Sequence, residues 1–373
     1  MYKLLQPLII LLILTAGTTP AIIGENYIVI DGTQINATSQ GDLLPLRDIV
    51  EHTRGTVSWD GRTQQIAIRH GFNTVAITIG STSATINNIS IELAVPPQII
   101  GGRTMVSLCF LVDLLGLGAG YINGVFILST SPAQRIPVLV YHHILPDEVN
   151  ARFQDNAWTI STEDFAEQMR YLHDNGFYTP TLDELEAFIY QGRPLPQNSV
   201  MIHFDDGYYS NYVYAYPILQ RYGLRAVLFP ITGDAEALGE YQPPIDHGAL
   251  TRAAAITLRG GKDVFETASH SHSLHHHASC GTQTMLVASA HDDIVADTLR
   301  SFEFVSNHRA YAYPLGMFNN TVIEALQEAG ITMGFTVNSG YITANSDPFR
   351  LGRFTVYRST QMRRFRDIVN GRL

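Results

Sequence analysis

The stretch His203-Phe204-Asp205-Asp206-Gly207-Tyr208 sets two adjacent carboxylates at the end of an apolar run and turns on a glycine. Residues 198–204 have the length and apolar content of a short buried strand. Asp205 and Asp206 then sit at its C-terminal end, the edge at which α/β barrels carry catalytic groups. Neighbouring residues at a strand end point in different directions, so one carboxylate can hold a cation while the other handles protons. Asp-Gly is also common turn chemistry, and this motif alone does not separate the two readings.

Two clusters downstream add complementary chemistry. Ser269-His270-Ser271-His272-Ser273-Leu274-His275-His276-His277 is rich in imidazole. Two histidines and a carboxylate with an open position make a catalytic site for a divalent cation, although a His-rich tract can also be a surface loop that picks up metal. Tyr311-Ala312-Tyr313-Pro314-Leu315-Gly316 is another apolar strand end, closed by Pro and Gly. Such a turn can aim a backbone N–H at a developing oxyanion.

In this order the three clusters resemble the motifs of the polysaccharide deacetylases with a NodB-homology domain, carbohydrate esterase family 4. His203 stands where that family's first motif has Thr. The resemblance implies Asp205 as general base and Asp206 as metal ligand. Ser269 to His275 matches the longer second motif of a branch acting on poly-N-acetylglucosamine and related wall polymers, which makes His270 and His275 the remaining ligands. The third motif implies the Leu315 N–H as oxyanion donor. The likeness begins at Ile136-Pro137-Val138-Leu139-Val140-Tyr141-His142-His143-Ile144 and runs to about Tyr357. It implies an irregular seven-stranded (β/α) barrel, a divalent metal, with zinc foremost, and an N-acetylglucosamine-containing polysaccharide as substrate.

The chain departs from that pattern in three places. His272 and His276 share the His-x-x-x-His spacing, which puts both on one helix face. The five-residue spacing of His270 and His275 needs a strand end and a turn; this pair is favoured because a strand-end ligand shares the rim with Asp206. Ala312 occupies the place of an arginine that orients the base, and Arg353 is the nearest substitute. No His follows His308, so the family's late acid motif is missing. His142, ending the strand Val138-Leu139-Val140-Tyr141, is the candidate acid or amine-positioning group, while His143 should point elsewhere. These gaps leave room for two rivals: a wall-polysaccharide-binding protein with a dead barrel, and an O-acetyl esterase of the xylan type.

The 373 residues allow two domains with substantial cores. Met1-Tyr2-Lys3 and the apolar run from Leu8 to Leu14 read as an export signal over residues 1–21, with a small-residue cleavage site at Thr19-Pro20-Ala21. The expected location is secreted or wall-associated, an uncleaved N-terminal anchor being the alternative. The net charge of −10 argues against nucleic acid and against a polybasic membrane patch. Cys109 and Cys280, the only two cysteines, fall in different expected domains and read as buried small hydrophobes rather than a disulfide.

Residues 26–130 alternate short β-rich runs with turns, and Leu44 to Val50 is echoed about 62 residues on by Val106 to Val112. This smaller α+β repeat domain resembles the copper amine oxidase N-terminal-like stalk of exported bacterial wall proteins. It implies wall association and no oxidase, since no cluster of copper-ligating histidines is present. Trp59 is expected to pack rather than to meet sugar. After the polar linker Ser129 to Gln134, strands and helices alternate over residues 135–373, the pattern of a parallel α/β barrel.

Overall fold

The computed structural model describes residues 26–150, 152–239, 253, 258, 260–279 and 281–373; the expected export signal over residues 1–21 lies outside them, as does Cys280. Among the described residues no helix is long and apolar enough to cross a membrane. Two compact units divide the chain. Of the described residues, one comprises those of Gln134–Arg193 and Asn198–Leu373, and the other residues 26–133 with Pro194–Gln197.

In the N-terminal unit the repeat is visible as two strand–helix pairs. Leu43–Pro45 leads into the helix Leu46–His52, and Arg103–Ser107 leads into Leu108–Leu115. The two strands pair antiparallel, Leu44 opposite Val106, so the copies meet through equivalent residues. The hairpins that follow go to different sheets. Thr56–Asp60 is the edge of a five-stranded meander, whereas Gly118–Ile122 and Val125–Ser129 join Tyr27–Ile30 and Thr33–Thr38. Two side chains expected to be covered are exposed here. Trp59, on that edge strand, is 44% exposed rather than packed. Cys109 is exposed because Phe110, Leu111 and Leu114 take the buried face of its helix.

In the larger unit five parallel strands lie side by side in the order Phe265–Thr267, Ala226–Pro230, Met201–Asp206, Val138–Tyr141, Phe354–Thr355. A parallel bridge from Ser269 to Tyr311 carries the sheet to Ala310–Ala312, which pairs in parallel with Met333–Phe335. A further bridge from Phe335 to Leu351 leads back toward Phe354. The five-stranded sheet and the Ala310–Ala312/Met333–Phe335 pair are thus related through two isolated bridges, the strand set of an irregular (β/α) barrel. Strands covered on both faces are apolar throughout, which is why 138–141 and 226–230 are buried at every position.

The helices begin where the sequence supplies caps. The Ser161 hydroxyl accepts the Asp164 N–H at 3.0 Å, and the helix Thr162–Asp174 sends Phe165, Met169 and Leu172 into the core beside Leu139, Ile202 and Phe204. Thr181 and Glu184 form a reciprocal capping box on Leu182–Gln191.

One carboxyl group works against this core. Glu266, in the middle of the Phe265–Thr267 strand, accepts the Leu182 N–H at 3.1 Å. Burial raises its pKa from 4.5 to about 7, with Asp183 and Glu184 adding repulsion and the Leu182 N–H and Arg225 pulling the other way. A carboxyl raised on folding stabilises below its unfolded pKa, and that contribution is lost as the pH rises through about 7. Glu266→Gln keeps an acceptor for Leu182 and removes the charge. Its melting temperature should therefore gain on wild type between about pH 5 and pH 8. Parallel pH profiles in thermal melts would contradict this account of Glu266.

Candidate metal and catalytic site

The turn after the second barrel strand is made of two left-handed residues. Asp206 has φ 72° and Gly207 has φ 73°. A Cβ on Gly207 would lie 2.7 Å from the Pro230 Cβ, so only glycine fits between the strands there. The double reversal leaves Asp205 buried in the barrel while Asp206 turns to the rim. A non-glycine residue at positive φ costs about 1–2 kcal/mol, and such strain gathers at functional positions.

Asp205 meets Arg353 in a two-point ion pair. Nη1 donates to Oδ1 at 2.8 Å and Nη2 to Oδ2 at 2.7 Å, while Nε donates to the Thr336 carbonyl at 2.8 Å. The guanidinium is completely buried. Burial by itself would raise the Asp205 carboxyl; Arg353, helped by His270 and His142, outweighs it and brings the pKa down to about 2. Asp205 is therefore a carboxylate at any neutral pH, locked in orientation. His203, two residues earlier, is wedged between Phe229 and Phe335, and burial pushes its imidazole well below the usual range.

Asp206, His270 and His275 converge. The Asp206 Oδ1 lies 3.5 Å from His270 Nε2 and 3.3 Å from His275 Nε2, and the two Nε2 atoms are 3.2 Å apart. Ligand atoms around a tetrahedral cation with bonds of about 2.0–2.1 Å stand roughly 3.3 Å apart, so the trio has the right span for zinc. His270 Nδ1 contacts the Ala312 carbonyl at 2.8 Å. As donor to that carbonyl, Nδ1 carries the proton and leaves the Nε2 lone pair facing Asp206, the tautomer of a metal-ligating histidine. Two imidazole nitrogens and a carboxylate aimed at one point form a set that a cation would hold together.

The loop between the two histidines is firmly held. Ser271 is left-handed at φ 74°, its hydroxyl accepts the Leu274 N–H at 2.7 Å, and Asp297 accepts the amides of His272 and Ser273 at 2.8 and 2.7 Å. His272 is turned away from the trio: Nδ1 lies 3.0 Å from the Thr232 hydroxyl and Nε2 3.1 Å from Glu236. His276 and His277 are exposed. Among the described residues the only His/Asp/Glu/Cys group spaced for a metal is Asp206, His270 and His275.

These residues face a cavity of about 370 Å³, also lined by His142, Asp205, Tyr313 and Leu315. His142 follows Val138–Tyr141 and its Nδ1 is buried with no hydrogen-bond partner among the described residues. Burial lowers its pKa, Asp205 and Asp206 partly restoring it. His143 points away, with Nδ1 2.6 Å from the Ser210 hydroxyl. Leu315 is left-handed at φ 53° and 43% exposed at the cavity mouth. Sequence reasoning missed Trp158, Val337 and Tyr357, which also line the wall. Trp158 lies in a connecting segment with no motif of its own, and only its rarity, one of two tryptophans, could have drawn attention to it.

Fold and site together place a candidate metal centre at the carboxyl ends of the parallel strands. Residues 192–334 match the polysaccharide deacetylase family model and residues 22–124 that of the copper amine oxidase N-terminal domain. The chain thus carries a polysaccharide deacetylase domain, of a family of amide-cleaving hydrolases, behind a copper amine oxidase N-terminal domain. The Bacillus subtilis protein YxkH, provisionally named a polysaccharide deacetylase, is 27% identical over 231 residues, covering 61% of this chain and 74% of its own length. A poly-β-1,6-N-acetyl-D-glucosamine N-deacetylase of Staphylococcus epidermidis is 28% identical over 214 residues, 53% of this chain and 68% of that one. The solved de-N-acetylase of Aggregatibacter actinomycetemcomitans shares the fold with a TM-score of 0.54 and 22% identity, over 63% of this chain and 99% of the other.

The ion pair yields a direct test. Since the Asp205 carboxyl is lowered from 3.8 to about 2, its pairing contributes stability that is full above its unfolded pKa and lost as the pH falls through about 2. Arg353→Met strands a buried carboxylate and should cost about 3–5 kcal/mol at neutral pH in denaturant melts. The deficit should narrow on acidification, where the unpaired carboxyl can protonate. A loss under about 1 kcal/mol, the size of a surface pair, would contradict a buried structural role.

Proposed function

We propose that this chain is an exported, metal-dependent deacetylase that removes N-acetyl groups from an N-acetylglucosamine polymer of the cell wall or extracellular matrix. The observation that carries the reading is one cavity holding both a base fixed by Arg353 and the Asp206–His270–His275 trio. The named activity of the staphylococcal relative supports the polymer class. The motif order and the export signal expected over residues 1–21 support the rest.

A divalent cation held by Asp206, His270 and His275, with zinc the best match to two nitrogens and one oxygen, would supply Lewis acidity toward water and the acetamide carbonyl. Asp205 takes the proton of the attacking water. A carboxylate with a pKa of about 2 is a weak resting base, so it serves by orientation and gives the proton up again within the cycle. The Leu315 N–H faces the oxyanion as the carbonyl carbon becomes tetrahedral. His142, on the same cavity wall, delivers a proton to the departing amine or orients it. The C–N bond breaks, water's oxygen stays with the acyl group, and acetate and the free amino sugar leave.

Acetate release from poly-N-acetylglucosamine, chitin oligomers and peptidoglycan, with the chelated protein as control, tests the reading; release unaffected by chelation would sink metal dependence. Asp206→Ala should abolish metal loading, whereas Asp205→Asn should keep the metal and lose turnover. Equal metal loss in both would contradict this division of roles. His270→Ala and His275→Ala should each cost about 10–100-fold or more in metal affinity, and His272→Ala much less; the reverse ranking would move the site to His272 and His276. His142→Ala should keep its metal and lose turnover, and turnover near wild type would remove it from the mechanism.

A further inference from the structure

Two half-exposed aromatic rings stand at the mouth of the catalytic cavity and take no part in the chemistry above. Trp158 is 41% exposed and Tyr357 is 38% exposed, and both line the cavity with Asp205 and His275. Their rings meet edge to face with centroids 5.0 Å apart. The Trp158 ring also packs near His142, their ring centroids 4.6 Å apart. Large aromatic rings are normally buried, so two left at one mouth are surface held ready for something apolar and flat.

The segments that carry the rings are fastened to each other. The Arg358 N–H donates to the Ala157 carbonyl at 2.8 Å, and its guanidinium pairs with Asp147 at 2.7 Å. Asn156 Oδ1 accepts the backbone N–H of Trp158 at 2.8 Å, and the Thr360 hydroxyl accepts the backbone N–H of Tyr357 at 2.9 Å. The neighbours of both aromatics are thereby tied, so the pair is preorganised and loses little freedom when a ligand arrives.

We propose that Trp158 and Tyr357 form a stacking platform for a hexopyranose ring of the substrate, which makes them specificity-determining residues; this rests on the deacetylase reading. An N-acetylhexosamine is uncharged, so the protein's field gives it no electrostatic grip. Its pyranose ring offers apolar C–H faces and a hydroxyl-bearing edge. A flat indole covers such a face, and the polar floor receives the acetamide. The platform lies against His142, so a ring seated on it would hold its amide nitrogen beside that imidazole.

The zinc-loaded full chain provides the test. The sequence has two tryptophans, so Trp59→Phe leaves Trp158 as the sole reporter. With Asp205→Asn added to prevent turnover, a β-1,6-linked N-acetylglucosamine pentamer should shift the Trp158 emission saturably, and Tyr357→Ala should weaken that affinity. In turnover by the otherwise wild-type enzyme, Trp158→Ala should raise KM for the pentamer roughly tenfold, the cost of truncating an aromatic anchor, with a smaller change in kcat. Trp158→Tyr should restore most of the loss. Unmoved emission in a protein whose parent releases acetate would overturn the platform and leave the deacetylase reading standing. A Trp158→Ala change confined to kcat would also overturn it, reducing Trp158 to a wall for His142. A saturable shift in a protein whose parent releases no acetate from any polymer would support the platform and sink the deacetylase reading.

Discussion

A buried guanidinium and a buried carboxylate, each costly to remove from water, are held together at the mouth of the barrel, and the site is organised around them. Desolvating either ion costs several kcal/mol, which is offset only when the remaining donors and acceptors are also satisfied. Here Arg353 uses Nε on the Thr336 carbonyl and both terminal nitrogens on Asp205. Thr336 follows the Met333–Phe335 strand, Asp205 is the penultimate residue of Met201–Asp206, and Arg353 leads into Phe354–Thr355. One side chain therefore ties together the ends of three strands. The same contact keeps Asp205 ionised and fixed in orientation.

With Asp205 committed inward, the left-handed turn at Asp206 and Gly207 sends the second carboxylate to the rim. The histidine loop reaches the same point by other means. Ser271 reverses the chain, Asp297 accepts two consecutive amides, and a Cβ on Gly233 would lie 2.4 Å from the His272 carbonyl, so only glycine lets that loop approach. The Ala312 carbonyl then orients His270. From floor to mouth, the cavity passes from charged groups to imidazoles to the aromatic and aliphatic surfaces of Trp158, Tyr357, Leu315 and Val337.

Much of this was legible in the chain. The carboxylates after an apolar run, the five-residue histidine spacing and the strand–helix alternation follow from local pattern, because strand ends, caps and tight turns are set by neighbouring residues. Ser161 and the strand–helix pairs of the N-terminal repeat were readable for the same reason. What a local pattern cannot supply is which distant residue answers a buried charge, or which side chain remains uncovered. Arg353 reaches Asp205 across 148 positions, and its place was inferred only from a missing arginine elsewhere. The choice of His275 over His276 depended on the reversal at Ser271, and the exposure of Trp59 on its place on an edge strand. Trp158 and Tyr357 lie 199 residues apart and became a pair only through the Arg358 contacts. Sequence alone determined the reactive groups and the elements that carry them; tertiary structure decided which were buried, paired or left open, since desolvation and contact arise only once the strands stand side by side.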